Sequence, residues 1–154
     1  MLKIFNTITK QKQELTPITP NKIKMYVCGV TVYDHCHIGH ARTYLAFDVL
    51  YRYLEHLKYE VEYVRNITDI DDKIINRSNE NNIPYETLVS EFTDKMHYDF
   101  DSLNIKRPSY EPKATDHIKQ MINIISDLIS QGFAYPQSTD KPNKDVYFEV
   151  SKFK

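Results

Sequence analysis

Lys24-Met25-Tyr26-Val27-Cys28 is a short apolar run stopped by Gly29, and it reads as a buried strand. From Ile38 to Leu57 apolar residues recur at helical spacing: Ala41, Leu45, Val49 and Tyr53 stand four apart, beside Ala46, Leu50, Leu54 and Leu57. A stripe this wide predicts a helix laid against a sheet. Val61 to Asn66 is a second strand, with Val61, Tyr63 and Arg65 on one face and Glu62, Val64 and Asn66 on the other. Strand, long helix and strand make a βαβ unit, so the two strands should run parallel with a right-handed crossover. The fold class is α/β.

Outward from this unit the signals are local. Lys3 to Thr7 reads as an edge strand, and Pro17 and Pro20 mark a loop before Ile23. Thr68 followed by Asp71 resembles a capping pattern, with Asp for the usual Glu, for a helix from Asp72 to Asn79. Pro84 opens a helix reaching Leu103, and Ile105 to Pro112 is a connection. Thr115 is placed to cap a helix carrying Ile118, Met121, Ile122, Ile125, Leu128 and Ile129, which Gly132 ends. The tail alternates like a hairpin: Phe133 to Tyr135, a polar loop with Pro136 and Pro142, then Val146 to Val150. One βαβ unit is too small to cover both faces of a parallel sheet, so residues beyond Lys154 are expected to supply the rest.

Composition narrows the class without naming an activity. The 154 residues suffice for one ordinary domain, and 41% hydrophobic with 27% charged residues excludes a disordered or fibrous chain. A net charge of −1 gives no global basic field, although a local patch can still meet a nucleic acid. The two cysteines, Cys28 and Cys36, form no Cys-x-x-Cys pair, which argues against a disulfide framework and for a reducing cytoplasm. Met1 to Lys10 has no apolar run fit for a signal peptide, and no stretch approaches the roughly 20 apolar residues a membrane helix needs. The expected location is cytoplasmic, with no membrane partner.

In an open parallel sheet, ligands bind outside the carboxyl ends of the strands. Those ends carry Cys28-Gly29-Val30-Thr31 and Asn66-Ile67-Thr68, with His37-Ile38-Gly39-His40 between them at the start of the long helix. Free backbone N–H groups and the helix dipole favour a phosphate there; Gly39 permits close approach, and His37 and His40 can donate hydrogen bonds to developing charge. Each residue has a plainer reading as well. A His at a helix start can be a cap, a Cys ending a strand can be a small hydrophobe, and Asp69, Asp71 and Asp72 can be a solvated helix N-terminus.

Taken together, four segments carry a resemblance. Tyr26-Val27-Cys28-Gly29-Val30-Thr31-Val32-Tyr33-Asp34, His37-Ile38-Gly39-His40, Thr43-Tyr44-Leu45-Ala46-Phe47-Asp48 and Arg65-Asn66-Ile67-Thr68-Asp69-Ile70-Asp71-Asp72-Lys73 resemble the successive signatures of cysteinyl-tRNA synthetases. Met1 to Thr7 and Leu103 to Pro108 match too, so the resemblance covers essentially the whole chain. It implies the first half of a Rossmann-like nucleotide-binding catalytic domain in residues 1–132, with a connective insertion starting at 133–154. It also implies formation of cysteinyl adenylate from cysteine and ATP, with Mg2+, and transfer of cysteine to tRNA(Cys) by a longer, monomeric parent, this fragment alone being inactive. On the same resemblance Cys28 is one of four protein ligands of a zinc ion that takes the substrate thiolate. Cys28, Gly29, Thr31, Asn66 and Thr68 line the amino-acid pocket; Thr31, His37, Gly39, His40 and Thr43 line the ATP and adenylate site, with His37 and His40 catalytic at the phosphates. Zinc binds thiolate well and hydroxyl poorly, which is how such a site separates cysteine from serine.

The family's other zinc ligands and its Lys-Met-Ser-Lys-Ser loop have no counterpart in these residues. A local zinc site built from Cys28, His35, Cys36 and His37 is disfavoured, because neighbours on one turn point in different directions. The alternative activities are a cysteine ligase of thiol biosynthesis, which passes the same adenylate to an amino-sugar amine, and a non-catalytic module that binds cysteine or nucleotide.

Overall fold

A computed structural model describes residues 2–137 and 145–153; the polar loop expected around Pro142 lies outside the described residues. The packing forms two compact units, Met1–Pro112 and Lys113–Lys154. This division falls elsewhere than the 132/133 boundary that the resemblance implies, because the last helix groups with the terminal hairpin.

The first unit opens with an antiparallel hairpin of β1 (Lys3–Asn6) and β2 (Gln11–Glu14). Then β3 (Lys22–Val27) and β4 (Glu60–Arg65) pair in parallel, with Val27 opposite Arg65. Between them runs α1 (Ile38–His56), which gives the βαβ unit expected from the sequence. The sheet strands bury alternate residues: Ile23 and Val27 on β3, Tyr63 and Arg65 on β4.

The buried face of α1 keeps Leu54 from the stripe the spacing suggests but turns away from most of the rest. Tyr44, Asp48 and Leu54 are buried and Phe47 and Tyr51 pack on the core, whereas Leu45, Val49, Tyr53 and Leu57 are exposed. The phase is set by two polar groups that find partners inside. Tyr44 donates its hydroxyl to the Cys28 carbonyl at 2.9 Å, and Asp48 accepts from Arg52 Nε at 2.6 Å and the Lys106 N–H at 2.9 Å. A satisfied polar group is no longer costly to bury, so hydrophobicity alone misplaces the face.

Helices α2 (Asp72–Asn81) and α3 (Tyr85–Ser102) close the core over Ile74, Leu88, Phe92, Met96 and Phe100. The cap of α2 is Asp71, whose carboxylate accepts the Lys73 N–H at 2.9 Å; Thr68 stays with the strand end instead of capping. Asn82 ends α2 in the left-handed region at φ 54°. The connection after α3 then lies along β4: Val64 bridges Tyr110 in parallel, the Arg65 N–H donates to the Tyr110 carbonyl at 3.1 Å, and the Ile67 N–H to the Pro112 carbonyl at 2.9 Å.

In the second unit a 3-10 turn (Thr115–His117) precedes α4 (Ile118–Ser130), so the N-cap position belongs to His117 and not to Thr115. Gly132 follows α4 at φ 77°, a conformation that favours glycine. Strands β5 (Ala134–Pro136) and β6 (Val146–Phe148) pair antiparallel, and the rings of Phe133 and Phe148 meet Phe153 edge-on at 5.8 and 5.5 Å. Among the described residues no helix is long and apolar enough to cross a membrane.

Candidate functional site

The carboxyl ends of β3 and β4 lie against one another. A Cβ at Gly29 would sit 1.4 Å from the Asn66 carbonyl oxygen, so only glycine permits this approach. Asn66 ties the two ends: its Oδ1 accepts the Gly29 N–H at 2.8 Å and the Tyr26 hydroxyl at 3.0 Å, and its Nδ2 donates to Thr68 Oγ1 at 3.2 Å. Beyond this knot the pairing resumes. Thr31 bridges Thr68, the Thr68 N–H donates to the Val30 carbonyl at 3.0 Å, and the Val32 N–H to the Thr68 carbonyl at 3.3 Å. Gly29, Thr31, Asn66 and Thr68 are thus brought together, with the exposed Cys28 beside them and its carbonyl held by Tyr44.

The start of α1 is organised by its own histidines. His37 is extended, at φ −123° and ψ 173°, and its Nδ1 accepts the Gly39 N–H at 3.0 Å. His40 Nδ1 reaches back to accept the His37 N–H at 3.1 Å, completing a reciprocal cap with the ring centroids 4.0 Å apart. The expectation of open backbone donors here therefore needs correcting, because the two side chains already take two of them. Accepting at Nδ1 puts the proton on Nε2, so each neutral ring keeps an Nε2–H to donate. Burial, and then His37, hold the His40 pKa below the ordinary histidine value. Gly39 also serves this cap: a Cβ there would lie 2.7 Å from His37 Cε1. Thr43 turns its hydroxyl to the Gly39 carbonyl at 3.0 Å, within its own helix.

Among the described residues no three His, Cys, Asp or Glu side chains gather as a metal site. Cys36 is half-buried against the core, and burial followed by the nearby Asp99 pushes its thiol up to about 11, away from the thiolate a metal would need. His35 meets the Phe92 ring edge-on at 5.4 Å. Cys28, His35, Cys36 and His37 thus do not gather as one donor cluster among the described residues. A cavity of about 330 Å3 beside the helix terminus is bounded by Cys36, His37, Ile38, Ala41, Asp99 and Phe100, on the α3 side and away from the strand ends.

Sequence reading missed the groups that hold these parts in place. Tyr26 and Tyr44 lie within the quoted segments, yet nothing in their spacing shows that they bond to Asn66 and Cys28. Buried Arg65 pairs with Glu111 through Nε at 3.1 Å and Nη2 at 2.7 Å, and Glu111 Oε2 stands 2.6 Å from His97 Nε2. Only the inward register of Arg65 on its strand signals that a counter-charge must come from elsewhere.

The architecture is that of class I aminoacyl-tRNA synthetase catalytic domains. Methionyl-tRNA synthetase of Mycobacterium tuberculosis, solved with methionyl-adenylate, superimposes with a TM-score of 0.69 at 19% identity, over 75% of this chain and 23% of that one. A LeuRS–tRNA complex from Agrobacterium radiobacter gives 0.67 at 22% identity, over 80% of this chain and 17% of that one. Within that class the particular family follows from sequence. Residues 14–154 match the family described as tRNA synthetases class I (C) catalytic domain, and the chain belongs to it. Proteins named cysteine–tRNA ligase from Vibrio atlanticus and Vibrio vulnificus are 56% and 55% identical over 153 residues, covering 99% of this chain. The chain spans 32% of the length of these curated relatives.

Proposed function

We propose that this chain supplies the amino-terminal part of the catalytic domain of a cysteine–tRNA ligase. The cysteine carboxylate attacks the α-phosphorus of ATP and expels pyrophosphate, and the terminal tRNA hydroxyl then takes the cysteinyl group from the adenylate and releases AMP. The observation that carries this reading is that the parallel strand pair and the helix following β3 each present an organised end. A knot of Gly29, Asn66 and Thr68 abuts Thr31 and Cys28, and a helix terminus bears two Nε2–H donors.

The strand-end knot orients the amino acid. Asn66 spends its amide on Gly29, Tyr26 and Thr68, so it shapes the pocket wall and turns Thr68 toward a fixed partner. At the other end the Nε2–H groups of His37 and His40 stabilise charge on the departing phosphates, together with the helix dipole and Mg2+ brought in with ATP. Cys28 is exposed at the strand end and has the right donor atom, so it fits as one protein ligand of a zinc ion. When bound, that zinc selects a thiolate over a hydroxyl. ATP and tRNA as reactants are in keeping with a cytoplasmic reaction. Residues 1–132 act in catalysis, and 133–154 begin an insertion into that domain.

The test is made on the full-length protein that contains this segment. It should catalyse cysteine-dependent exchange of pyrophosphate into ATP and charge tRNA(Cys). Exchange without charging, accompanied by amide formation on an amino-sugar, would transfer the assignment to a thiol-biosynthetic ligase. No exchange at all would leave only a binding module.

A further inference from the structure

Arg65 is 1% exposed, so its guanidinium has left water almost completely and needs a fixed counter-charge. Glu111 provides it with one oxygen, Oε1, which accepts from both Nε and Nη2. The second oxygen meets His97 of α3. The rings of Tyr44 and Phe100 flank the guanidinium at 5.2 and 4.9 Å from its central carbon, and Nη1 finds no hydrogen-bond partner among the described residues. Glu111 is thus the carboxylate that neutralises the buried cation, which the Tyr63 side chain also engages, and it joins α3 and the 109–112 segment to β4.

Two paths lead from this cluster to the amino-acid end of the site. Tyr44, packed on the guanidinium, holds the Cys28 carbonyl. Arg65 itself is followed in the chain by Asn66, and main-chain bonds to Tyr110 and Pro112 on either side of Glu111 fix that stretch. The bonds of the His37–His40 cap lie within one helical turn and include neither Arg65 nor Glu111, so the cap meets the cluster only through the packing of Tyr44 on the same helix.

We infer that Glu111, clamped between Arg65 and His97, is a positioning residue that sets the cysteine-binding end of the site and leaves the ATP end alone. The inference rests on the proposed ligase reading. It predicts a split between two Michaelis constants that a purely structural residue would not produce.

The test uses the full-length enzyme in the cysteine-dependent exchange assay. Glu111→Gln should raise KM for cysteine about tenfold, the equivalent of losing one hydrogen-bonded contact, while KM for ATP stays within about twofold. Glu111→Asp, which keeps the charge, should recover most of the difference. Because an unpaired buried Arg65 threatens folding, the double variant Arg65→Met, Glu111→Met removes both charges; it should regain the melting temperature without regaining the cysteine KM. An unchanged cysteine KM in Glu111→Gln would overturn the inference. So would a rise in both constants that the double variant reverses, since that is the signature of stability alone. Absence of exchange in the unsubstituted enzyme would refute the ligase reading, and this inference with it.

Discussion

Gly29→Ala is the most demanding single perturbation of the site. An alanine Cβ would be placed 1.4 Å from the Asn66 carbonyl oxygen and 2.5 Å from its carbon, and real Cβ atoms do not come within 3.0 Å of such neighbours. The two strand ends must therefore separate by at least 1.6 Å, and both sides of the contact are main chain with no rotamer to yield. Separation breaks the 2.8 Å bond from the Gly29 N–H to Asn66 and strains the Thr31–Thr68 bridge beyond it. Overpacking typically costs about 1–3 kcal/mol, and the lost hydrogen bond adds about 1. Displacements on the order of 1 Å at a reacting centre cost about 100-fold in rate. In the full-length enzyme, pyrophosphate exchange should fall about 100-fold or more, and denaturant unfolding should show a loss of roughly 2–4 kcal/mol. Gly132→Ala is the control: its φ of 77° strains an alanine, but nothing lies within 4 Å, so it should lower stability with no loss of exchange. Exchange by Gly29→Ala within about threefold of the unsubstituted rate would refute the claim that this contact shapes the site.

Four further outcomes are expected. His40→Asn in the full-length protein keeps an acceptor for the cap but withdraws the ring donor, so adenylate formation should slow by the equivalent of about 3–4 kcal/mol with ATP affinity little changed; unaltered exchange would count against the role. Because the folded chain depresses the His40 pKa, the cap contributes fully above the ordinary value of 6.5 and weakens as pH falls through that value toward the lower folded one, so the unfolding midpoint should drop on acidification, and less so in His40→Asn. In the full-length protein Cys28→Ser should lose zinc by elemental analysis and, with it, the preference for cysteine over serine; full zinc retention would make Cys28 a packing residue. The 154-residue chain alone should neither form cysteinyl adenylate nor hold stoichiometric zinc after dialysis, since Cys28 is one donor and zinc sites take at least three from the protein.

What was legible in the sequence divides by range. The strand at Lys22–Val27, the helix from Ile38, the helix from Tyr85 and the turn at Gly132 are each written in neighbouring residues, through periodicity, caps or a positive φ. The four exposed polar residues Gln11–Glu14 carry no periodic signal, and they form β2 only because the Lys3–Asn6 strand folds back on them. The cap of α2 was displaced from Thr68 to Asp71 because Thr68 is engaged by the strand end and by Asn66 Nδ2. The face of α1 was misjudged for a related reason: its buried positions include Tyr44 and Asp48, whose partners are a carbonyl 16 residues upstream and a main-chain N–H 58 residues downstream. Glu111 could not be found at all from local pattern, standing 46 residues from the arginine it neutralises.

On the proposed function, which assigns the helix terminus to the phosphates and the strand ends to the amino acid, the same division runs through the site. The phosphate end is built from contacts of two and three residues, His37 to Gly39 and His40 to His37, so it forms whenever α1 forms and a substitution there is felt within one turn. The amino-acid end is built from Gly29 with Asn66, Tyr44 with Cys28 and Glu111 with Arg65, contacts spanning 37, 16 and 46 residues. Each closes a loop and bears its entropy, and each gives its full benefit only when the others are made. Discrimination among amino acids requires groups held to a fraction of an ångström, whereas attraction of a triphosphate requires mainly charge and donors at a helix end. A rigid, long-range knot at the selective end and a self-contained cap at the phosphate end therefore match the different tolerances of the two tasks.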